Sequence, residues 1–169
     1  MQLSDEITGL RRLMADLRPP VLDAGGLDAA IADYLRSFSD RTGIAHTIDS
    51  CTVDLVAADE LVIYRVVQEA LANVYKHANA SHVRVHLAGK GDSVEVVIED
   101  DGCGFDTSRT HAFVRDNHFG LIGMRERVER MHGTWRVRSA SGEGTRISVS
   151  TRSRPLQVDR WSPLAASIV

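Results

Sequence analysis

Apolar residues recur at intervals of three and four in several stretches of the chain, a spacing that predicts amphipathic helices. These helices are expected at residues 1–18, 27–43, 59–78 and 121–133. Pro19 and Pro20 stop the first, and glycines at positions 43 and 133 close the second and the fourth. Because a short lone helix is marginal in water, the apolar stripe of the first helix is expected to pack on the domain or on a second chain.

Alternating apolar and polar positions predict short strands at 44–50, 52–56, 82–87, 93–99, 134–140 and 145–151. Gly-Lys-Gly-Asp joins the strands on either side of residue 90, and Ser-Gly-Glu-Gly joins the last two, so each pair is expected to form a β-hairpin. Residues 106–118 show no periodicity and are interpreted as a loop. Helices on one side and hairpin strands on the other predict an α+β fold, a two-layer sandwich.

The third predicted helix has a core face and an opposing polar stripe. At about 100° per residue, the apolar positions fall within one broad arc. They are Ile63, Tyr64, Val67, Leu71, Val74 and Ala78. On the opposite side Glu69, Asn73 and Lys76 line up a carboxylate, an amide and an ammonium. When the helix is taken alone, an ordinary solvated face is the simpler explanation of this stripe.

Composition and charge exclude several classes of function. The 169 residues include 20 basic and 23 acidic residues mixed along the chain, with a net charge of −3. The sequence therefore lacks the clustered basic residues that indicate nucleic-acid binding. No apolar run approaches the roughly 20 residues of a membrane helix, and residues 1–10 do not resemble a signal peptide. Cys51 and Cys103 lack the spacing of a zinc site. We expect a cytoplasmic domain without direct membrane contact, which is compatible with a membrane-anchored parent protein.

An acidic, glycine-rich turn follows the most hydrophobic strand. Asp100, Gly102 and Gly104 form a DxGxG pattern there. Glycines at this spacing let the backbone turn sharply and approach a flat ligand, and Asp100 can accept a hydrogen bond from an exocyclic amine. Taken alone, a tight turn with acidic flanks is the simpler explanation.

Two further glycine patterns lie downstream. His118-Phe-Gly-Leu-Ile-Gly-Met124 runs from a loop into a helix, the arrangement in which free N–H groups and the helix dipole hold phosphate oxygens. A turn and close packing at Gly120 and Gly123 would explain the same residues, and the P-loop pattern is absent. Gly142-Glu-Gly-Thr145 is explained by a hairpin turn alone.

Together these pieces occur in the order ExxxN on a helix, DxGxG after a strand, a loop, a glycine-rich helix start and GxGT. In this order the chain resembles the GHKL ATPase superfamily, which includes DNA gyrase, the MutL mismatch repair proteins, the heat-shock chaperone of this class and histidine kinases. The runs 69–78, 118–127 and 17–23 are similar to sensor histidine kinases of the NarL/DesK type. The resemblance covers roughly residues 10–151. It implies the Bergerat fold, a mixed, mostly antiparallel sheet packed on helices.

The resemblance also implies an ATP site between the long helix, the sheet and a lid at residues 106–117. Asp100 would bind the adenine amino group with support from Thr145, while Gly102 and Gly104 would let the backbone approach the base. Asn73 would be catalytic and would coordinate Mg²⁺. The other ATP-binding residues that it implies are Lys76, His77, His118, Gly120, Leu121 and Gly123.

Glu69 matches the position at which hydrolytic members of the superfamily activate water. Two roles stay open for it in a kinase, namely polarising the attacking imidazole as a catalytic residue or helping to hold the metal. For phosphoryl transfer, the protein mainly has to position the reacting groups and neutralise the charge of the phosphates. One amide and one carboxylate can do this by holding Mg²⁺.

The implied function is that of the ATP-binding catalytic domain of a two-component sensor histidine kinase. It would transfer the γ-phosphate to a histidine on a separate dimerisation and phosphoacceptor domain, for relay to a response regulator. None of the seven histidines is followed by Asp or Glu, as an acceptor of this type would be. We therefore expect a fragment, with residues 1–20 as a remnant of the dimerisation helix, 21–151 as the catalytic domain and 152–169 as a flexible tail.

Two other functions stay open at this point. An anti-sigma-factor serine kinase shares the fold, although the Pro-Pro segment and the HFGLxGM run argue against it. A non-catalytic module, in which ATP orders the lid and controls a protein contact, would use the same site.

Overall fold

The computed structural model describes residues 19–107 and 119–153. The predicted helix at 1–18, all but the start of the predicted lid, His118 and the tail from residue 154 lie outside the described residues. Within the described ranges, no helix combines the length and the apolar character needed to cross a membrane.

The described ranges contain α1 at Pro20–Thr42, α2 at Ala57–Asn73 and α3 at Phe119–Arg130. The helix predicted from residue 27 therefore begins earlier, with Pro20 in the first turn. Proline lacks an N–H, but an N–H at this position would make no hydrogen bond within the helix. Inside α1, Gly26 has φ 73° and ψ −178°, so the chain is kinked there and not broken. Gly43 ends the helix in a left-handed conformation, and its N–H donates to the Ser39 carbonyl.

Helix α2 changes geometry before it ends. It continues as one π-helical turn over Val74–Ala78, which Asn79 ends in the left-handed region with φ 49°. The sequence predicted an uninterrupted helix across this stretch. Single π turns are rare in proteins overall, and many of those that occur lie at functional sites.

Strands β1 to β5 span Ala45–Ser50, His82–Lys90, Ser93–Asp100, Thr134–Ser139 and Thr145–Arg152. They form a sheet in the order β1-β2-β3-β5-β4. β1 and β2 are parallel, and the other three pairs are antiparallel. The predicted α+β class and the mixed, mostly antiparallel sheet are therefore confirmed.

The strand predicted at 52–56 is wrong. β1 lies at the edge of the sheet, and its register with β2 ends at Ser50 opposite Leu87. Because these two strands are parallel, the chain has to leave the sheet at this point and cross to the helix layer. Val53 and Leu55 pack against the core during this crossing, and their spacing produced the apparent alternation.

The helices and one face of the sheet share a single hydrophobic core. The predicted core face of α2 is confirmed, because all six of its residues are buried. Val66 and Ala70 are buried as well, since α2 contacts both α1 and α3. Truncating a fully buried side chain such as Leu71 to alanine should cost about 2–5 kcal/mol. This rigid packing sets the position of the polar stripe on α2.

Candidate functional site

A pocket of about 350 Å³ opens between α2 with its π turn, the ends of β3 and β5, and the start of α3. Nine of the twelve residues predicted for the ATP site line it: Glu69, Asn73, Lys76, His77, Asp100, Gly104, Gly120, Leu121 and Thr145. Gly102 and Gly123 are not in the lining, and His118 lies outside the described residues. Apolar side chains including Ile98, Phe105 and Ile147 complete the walls. Such a lining suits a flat apolar ligand with polar edges.

Asp100, Gly102, Gly104 and Thr145 lie at the ends of two paired strands, and we call them the strand-end group. Asp100 is opposite Thr145 in the register of β3 with β5. The Gly102 N–H donates to Asp100 Oδ1 at 2.9 Å. A carboxylate offers about four lone-pair sites, so Asp100 keeps acceptor positions for a ligand.

Two neighbouring carboxyl groups have opposite pKa shifts. Burial raises the pKa of Asp100, and the hydrogen bonds from Gly102 and Thr145 oppose that shift. Hydrogen bonds, first from the Ser81 hydroxyl and then from the His82 N–H, lower the pKa of the exposed Asp101. Asp101 Oδ1 accepts from the Ser81 and His82 N–H groups at 2.8 and 2.9 Å, which ties the loop to the start of β2. Asp101 therefore has a structural role, while Asp100 lines the pocket.

Two glycines of the strand-end group have no room for a side chain. A Cβ on Gly102 would overlap the carbonyl oxygen of Ala78, at the end of the π turn. A Cβ on Gly104, whose φ is 57°, would overlap the carbonyl oxygen of Ala140. The Cys103 N–H donates to the same Ala78 oxygen at 2.7 Å. The loop is thus held between the π turn and the β4–β5 hairpin.

Glu69, Asn73, Lys76 and Gly120 lie on α2, its π turn and the start of α3, and we call them the helix-end group. Glu69 and Asn73 are half-buried, whereas Lys76 is exposed. A Cβ on Gly120 would overlap Glu69 Oε1 and would lie 3.5 Å from Asn73 Nδ2. Both side chains therefore reach the first turn of α3, where a carboxylate is favoured by the helix dipole.

Gly123, predicted as a phosphate contact, has a different environment. A Cβ there would meet only the end of the Arg127 side chain, at 3.7 Å, which is ordinary contact. Close packing therefore does not explain the glycine at this position.

The π turn brings consecutive side chains to the same wall. Lys76, His77 and Ala78 all line the pocket. On an α-helix, about 100° per residue would spread three consecutive residues over about 200°. The wider π turn rotates less per residue, which explains why His77 lies beside Lys76 at the site. The residue pattern contains no signal for this change of geometry.

Sequence reasoning missed one polar residue of the site region. Ser139, the last residue of β4, is opposite Thr145 in the register of the hairpin. Its hydroxyl oxygen accepts the Phe105 N–H at 2.9 Å. The hairpin prediction contained the signal that could have found it, because a polar residue opposite Thr145 follows from the pairing.

Residues 58–155 match the model of a family described as "Histidine kinase-, DNA gyrase B-, and HSP90-like ATPase". The chain is 35% identical over 150 residues to the signal transduction histidine-protein kinase/phosphatase DegS of Brevibacillus brevis. It is 35% identical over 165 residues to the sensor histidine kinase MctS of Rhizobium johnstonii. These alignments cover 88% and 96% of this chain but only 38% and 36% of the two relatives.

Solved structures share the fold. The histidine kinase domain of the blue-light activated histidine kinase from Erythrobacter litoralis EL346 matches with a TM-score of 0.65 and 20% identity. That match covers 78% of this chain and 67% of the other. The mycobacterial sensor histidine kinase MprB matches with a TM-score of 0.62 and 23% identity, over 75% of this chain and 94% of the other.

Proposed function

We propose a function for this chain, which belongs to the histidine kinase-, DNA gyrase B- and HSP90-like ATPase family. Its ATP-binding domain would be the catalytic part of a sensor histidine kinase. The domain would transfer the γ-phosphate of ATP to a histidine on a separate dimerisation and phosphoacceptor domain, for relay to a response regulator. The names of the two relatives support this proposal. The chain spans little more than a third of their length, so the activity of the whole protein belongs to the proposal.

One observation carries the proposal. Residues from four separate sequence motifs, distributed from Glu69 to Thr145, line a single pocket. One wall offers a carboxylate with a remaining acceptor site, and another offers an amide, a carboxylate and an ammonium. A nucleotide needs this division, because its base is flat and polar at the edge while its phosphates are highly charged.

In our proposal the strand-end group recognises adenine. Asp100 accepts a hydrogen bond from the exocyclic amine, and the lone pairs that the Gly102 N–H leaves free on this carboxylate support this role. Thr145 orients the carboxylate. Gly102 and Gly104 let the loop backbone approach the base, which the lack of space for a Cβ at either position supports.

The helix-end group would act on the phosphates. Lys76 and His77, both exposed on the pocket wall, would contact phosphate oxygens. N–H groups at the start of α3, around Gly120, Leu121 and Gly123, would add hydrogen bonds there. His118 belongs to the same motif and stays a prediction, since it lies outside the described residues.

The residues present fit Mg²⁺. Asn73 and Glu69 are one helical turn apart, and both approach Gly120, so an amide oxygen and a carboxylate are available together. Mg²⁺ commonly takes one or two protein oxygens and keeps several waters, which agrees with a two-residue donor set. When bound, it would neutralise charge on the phosphates. Glu69 has the alternative role of polarising the attacking imidazole.

The remaining parts of the proposal concern organisation and partners. Residues 1–20 would belong to the dimerisation helix, 21–151 to the catalytic domain and 152–169 to a tail. The partners would be the phosphoacceptor domain and a response regulator. The domain would work in the cytoplasm, where ATP is available, and Cys51 and Cys103 are both free thiols.

The experiment combines the purified domain, the acceptor helix pair of the full-length reading frame and ATP labelled at the γ-phosphate. Label that is acid-labile and located on histidine is the expected result. Acid-stable label on serine would instead identify a serine kinase. ATP binding without transfer to either residue would leave a non-catalytic binding module.

A further inference from the structure

Asp101 binds the short segment that joins the π turn to β2. Its Oδ1 accepts the N–H groups of Ser81 and His82 at 2.8 and 2.9 Å, and its Oδ2 accepts the Ser81 hydroxyl at 2.5 Å. The Asp101 N–H also donates to the His82 carbonyl oxygen at 3.3 Å. Asp101 is exposed and does not line the pocket. It can therefore act on the site only through the segments that it connects.

The segment that Asp101 holds begins directly at the end of the π turn. The turn ends at Ala78, and Asn79 follows it in the left-handed conformation, shortly before Ser81. Lys76 and His77 are residues of the same turn, and both line the pocket. Because π turns are rare compared with α-helical turns, we expect this geometry to depend on the contacts that fix its end.

Backbone contacts to this segment remain when the side chain of Asp101 is truncated. The Ala78 carbonyl oxygen accepts the Cys103 N–H at 2.7 Å, and the Ser81 carbonyl oxygen accepts the Ala45 N–H at 3.0 Å. The Ser81 N–H, in contrast, would lose the acceptor that it has in the wild type. The domain should therefore still fold, while the segment after the π turn gains freedom to move.

The strand-end group is held from the opposite side, by the β4–β5 hairpin. Asp100 is opposite Thr145 in the register of β3 with β5. The Gly142 N–H donates to the Cys103 carbonyl oxygen at 2.6 Å, which fastens the hairpin turn to the DxGxG loop. Neither contact uses the side chain of Asp101. Truncating that side chain should therefore leave Asp100 in place.

We propose that Asp101 is a positioning residue for the phosphate end of the pocket, where it fixes the end of the π turn and with it Lys76 and His77. Two consecutive carboxylates then serve opposite ends of the nucleotide, Asp100 the base and Asp101 the phosphates. This inference rests on the proposed function, because it assumes that Lys76 and His77 contact phosphate oxygens.

Calorimetry of Mg·ATP and of adenosine tests this role. Asp101→Ala should weaken Mg·ATP binding about 3- to 10-fold, the effect of disturbing one polar contact to phosphate. Adenosine binding should change by less than about 2-fold, because adenosine has no phosphate to reach the π turn. Charge alone predicts the opposite sign for Mg·ATP, since the variant removes a negative charge near an anionic ligand.

Asp101→Asn is the matched variant, because it also removes the charge. Its amide oxygen can still accept both N–H groups, so it should restore Mg·ATP binding. Asp49→Ala removes an exposed carboxylate that pairs with His86 on β2, and it should leave both affinities unchanged. If Asp101→Ala does not fold, Ser81→Ala carries the same comparison, because it removes only the hydroxyl contact to Asp101. It should weaken Mg·ATP about 2- to 4-fold and leave adenosine unchanged.

The inference and the proposed function fail in different ways. Equal losses for Mg·ATP and adenosine in Asp101→Ala, or no loss of Mg·ATP binding, would end this inference alone. Asp101→Asn as weak as Asp101→Ala would also end it, because the hydrogen bonds would then not be the cause. A wild-type domain that binds Mg·ATP no more tightly than adenosine would instead remove the helix-end group from the phosphate role.

Discussion

The strand-end group and the helix-end group differ in how the fold holds them. Asp100 accepts the Gly102 N–H before any ligand is present, and the glycines around it fit against the backbone of two other segments. In the helix-end group, Lys76 is exposed at a π turn, and Glu69 and Asn73 are half-buried. One end of the pocket is built by paired strands, whereas the other consists of side chains on helical turns.

This difference indicates how the two ends should respond to change. A prebuilt acceptor contributes to binding in the ground state and in the transition state alike, so it governs affinity. Side chains that become ordered around phosphates contribute most when charge is transferred, so they govern the rate. Substitutions at the strand end should therefore act on affinity for the base. Those at the helix end should act mainly on turnover and, through the phosphates, on the binding of Mg·ATP.

The largest effect is expected at Asn73. Replacement by alanine removes the amide proposed to hold Mg²⁺ and should lower phosphotransfer about 10²- to 10³-fold, the cost of losing one charge-stabilising group. Labelled-phosphate transfer at saturating Mg·ATP measures this. The thermal unfolding midpoint should stay close to that of the wild type, because Asn73 is only half-buried. Retained transfer in a folded variant would remove Asn73 from the metal role.

Two glycines of α3 provide a matched pair for the next effect. A Cβ at Gly120 overlaps the Glu69 carboxylate, so Gly120→Ala should displace it and lower the transfer rate by up to about 100-fold. Gly123→Ala meets only ordinary contact and should leave the rate within about 3-fold. Single-turnover kinetics compares the two. Equal rates would show that the position of Glu69 does not matter for transfer.

At the strand end, Asp100→Asn should act on affinity. The variant presents an N–H₂ group where the proposal needs an acceptor, which should weaken ATP binding by about 1–3 kcal/mol. Transfer at saturating ATP should fall much less than in Asn73→Ala. Calorimetry gives the affinity, and an unchanged value would exclude Asp100 from the adenine role.

The smallest effect concerns pH. Because burial raises the pKa of Asp100, this carboxyl in the empty domain takes up a proton at a higher pH than an ordinary aspartate, whose pKa is about 3.9. A protonated oxygen no longer accepts from the amine, so ATP affinity should fall as the pH drops through the raised pKa. Asp100→Asn should lack this acid dependence, and its persistence in the variant would assign it to another group.

The two ends also differed in how well the sequence predicted them. The turns of the strand-end group follow from local rules, since DxGxG after a strand and GxGT in a hairpin imply them. The closeness of Asp100 and Thr145 was expected from the family resemblance, because the pairing of β3 with β5 is not local. The π turn does not follow from such rules, because its residues are compatible with an α-helix. The residue pattern alone would therefore not place His77 beside Lys76, and His77 was predicted only through the family resemblance.

Tertiary contacts account for the other differences. Residues 52–56 alternate like a strand, but the parallel pairing of β1 requires a crossover at that point. The different roles of Asp100 and Asp101 depend on Ser81, which is distant in sequence. Ser81 comes next to the loop only when β2 pairs with β3. The hydroxyl of Ser139 likewise contacts Phe105, Gly144 and Thr145 only because the fold brings these residues together.

In our proposal the strand-end group binds the base, and the helix-end group acts on the phosphates. Nuclear magnetic resonance titration of adenosine and of Mg·ATP into the wild type, Asp100→Asn and Asn73→Ala tests it most directly. We expect Asp100→Asn to weaken both ligands by a similar factor, whereas Asn73→Ala should weaken Mg·ATP and leave adenosine unchanged. Loss of adenosine binding in Asn73→Ala, or unchanged adenosine binding in Asp100→Asn, would contradict it.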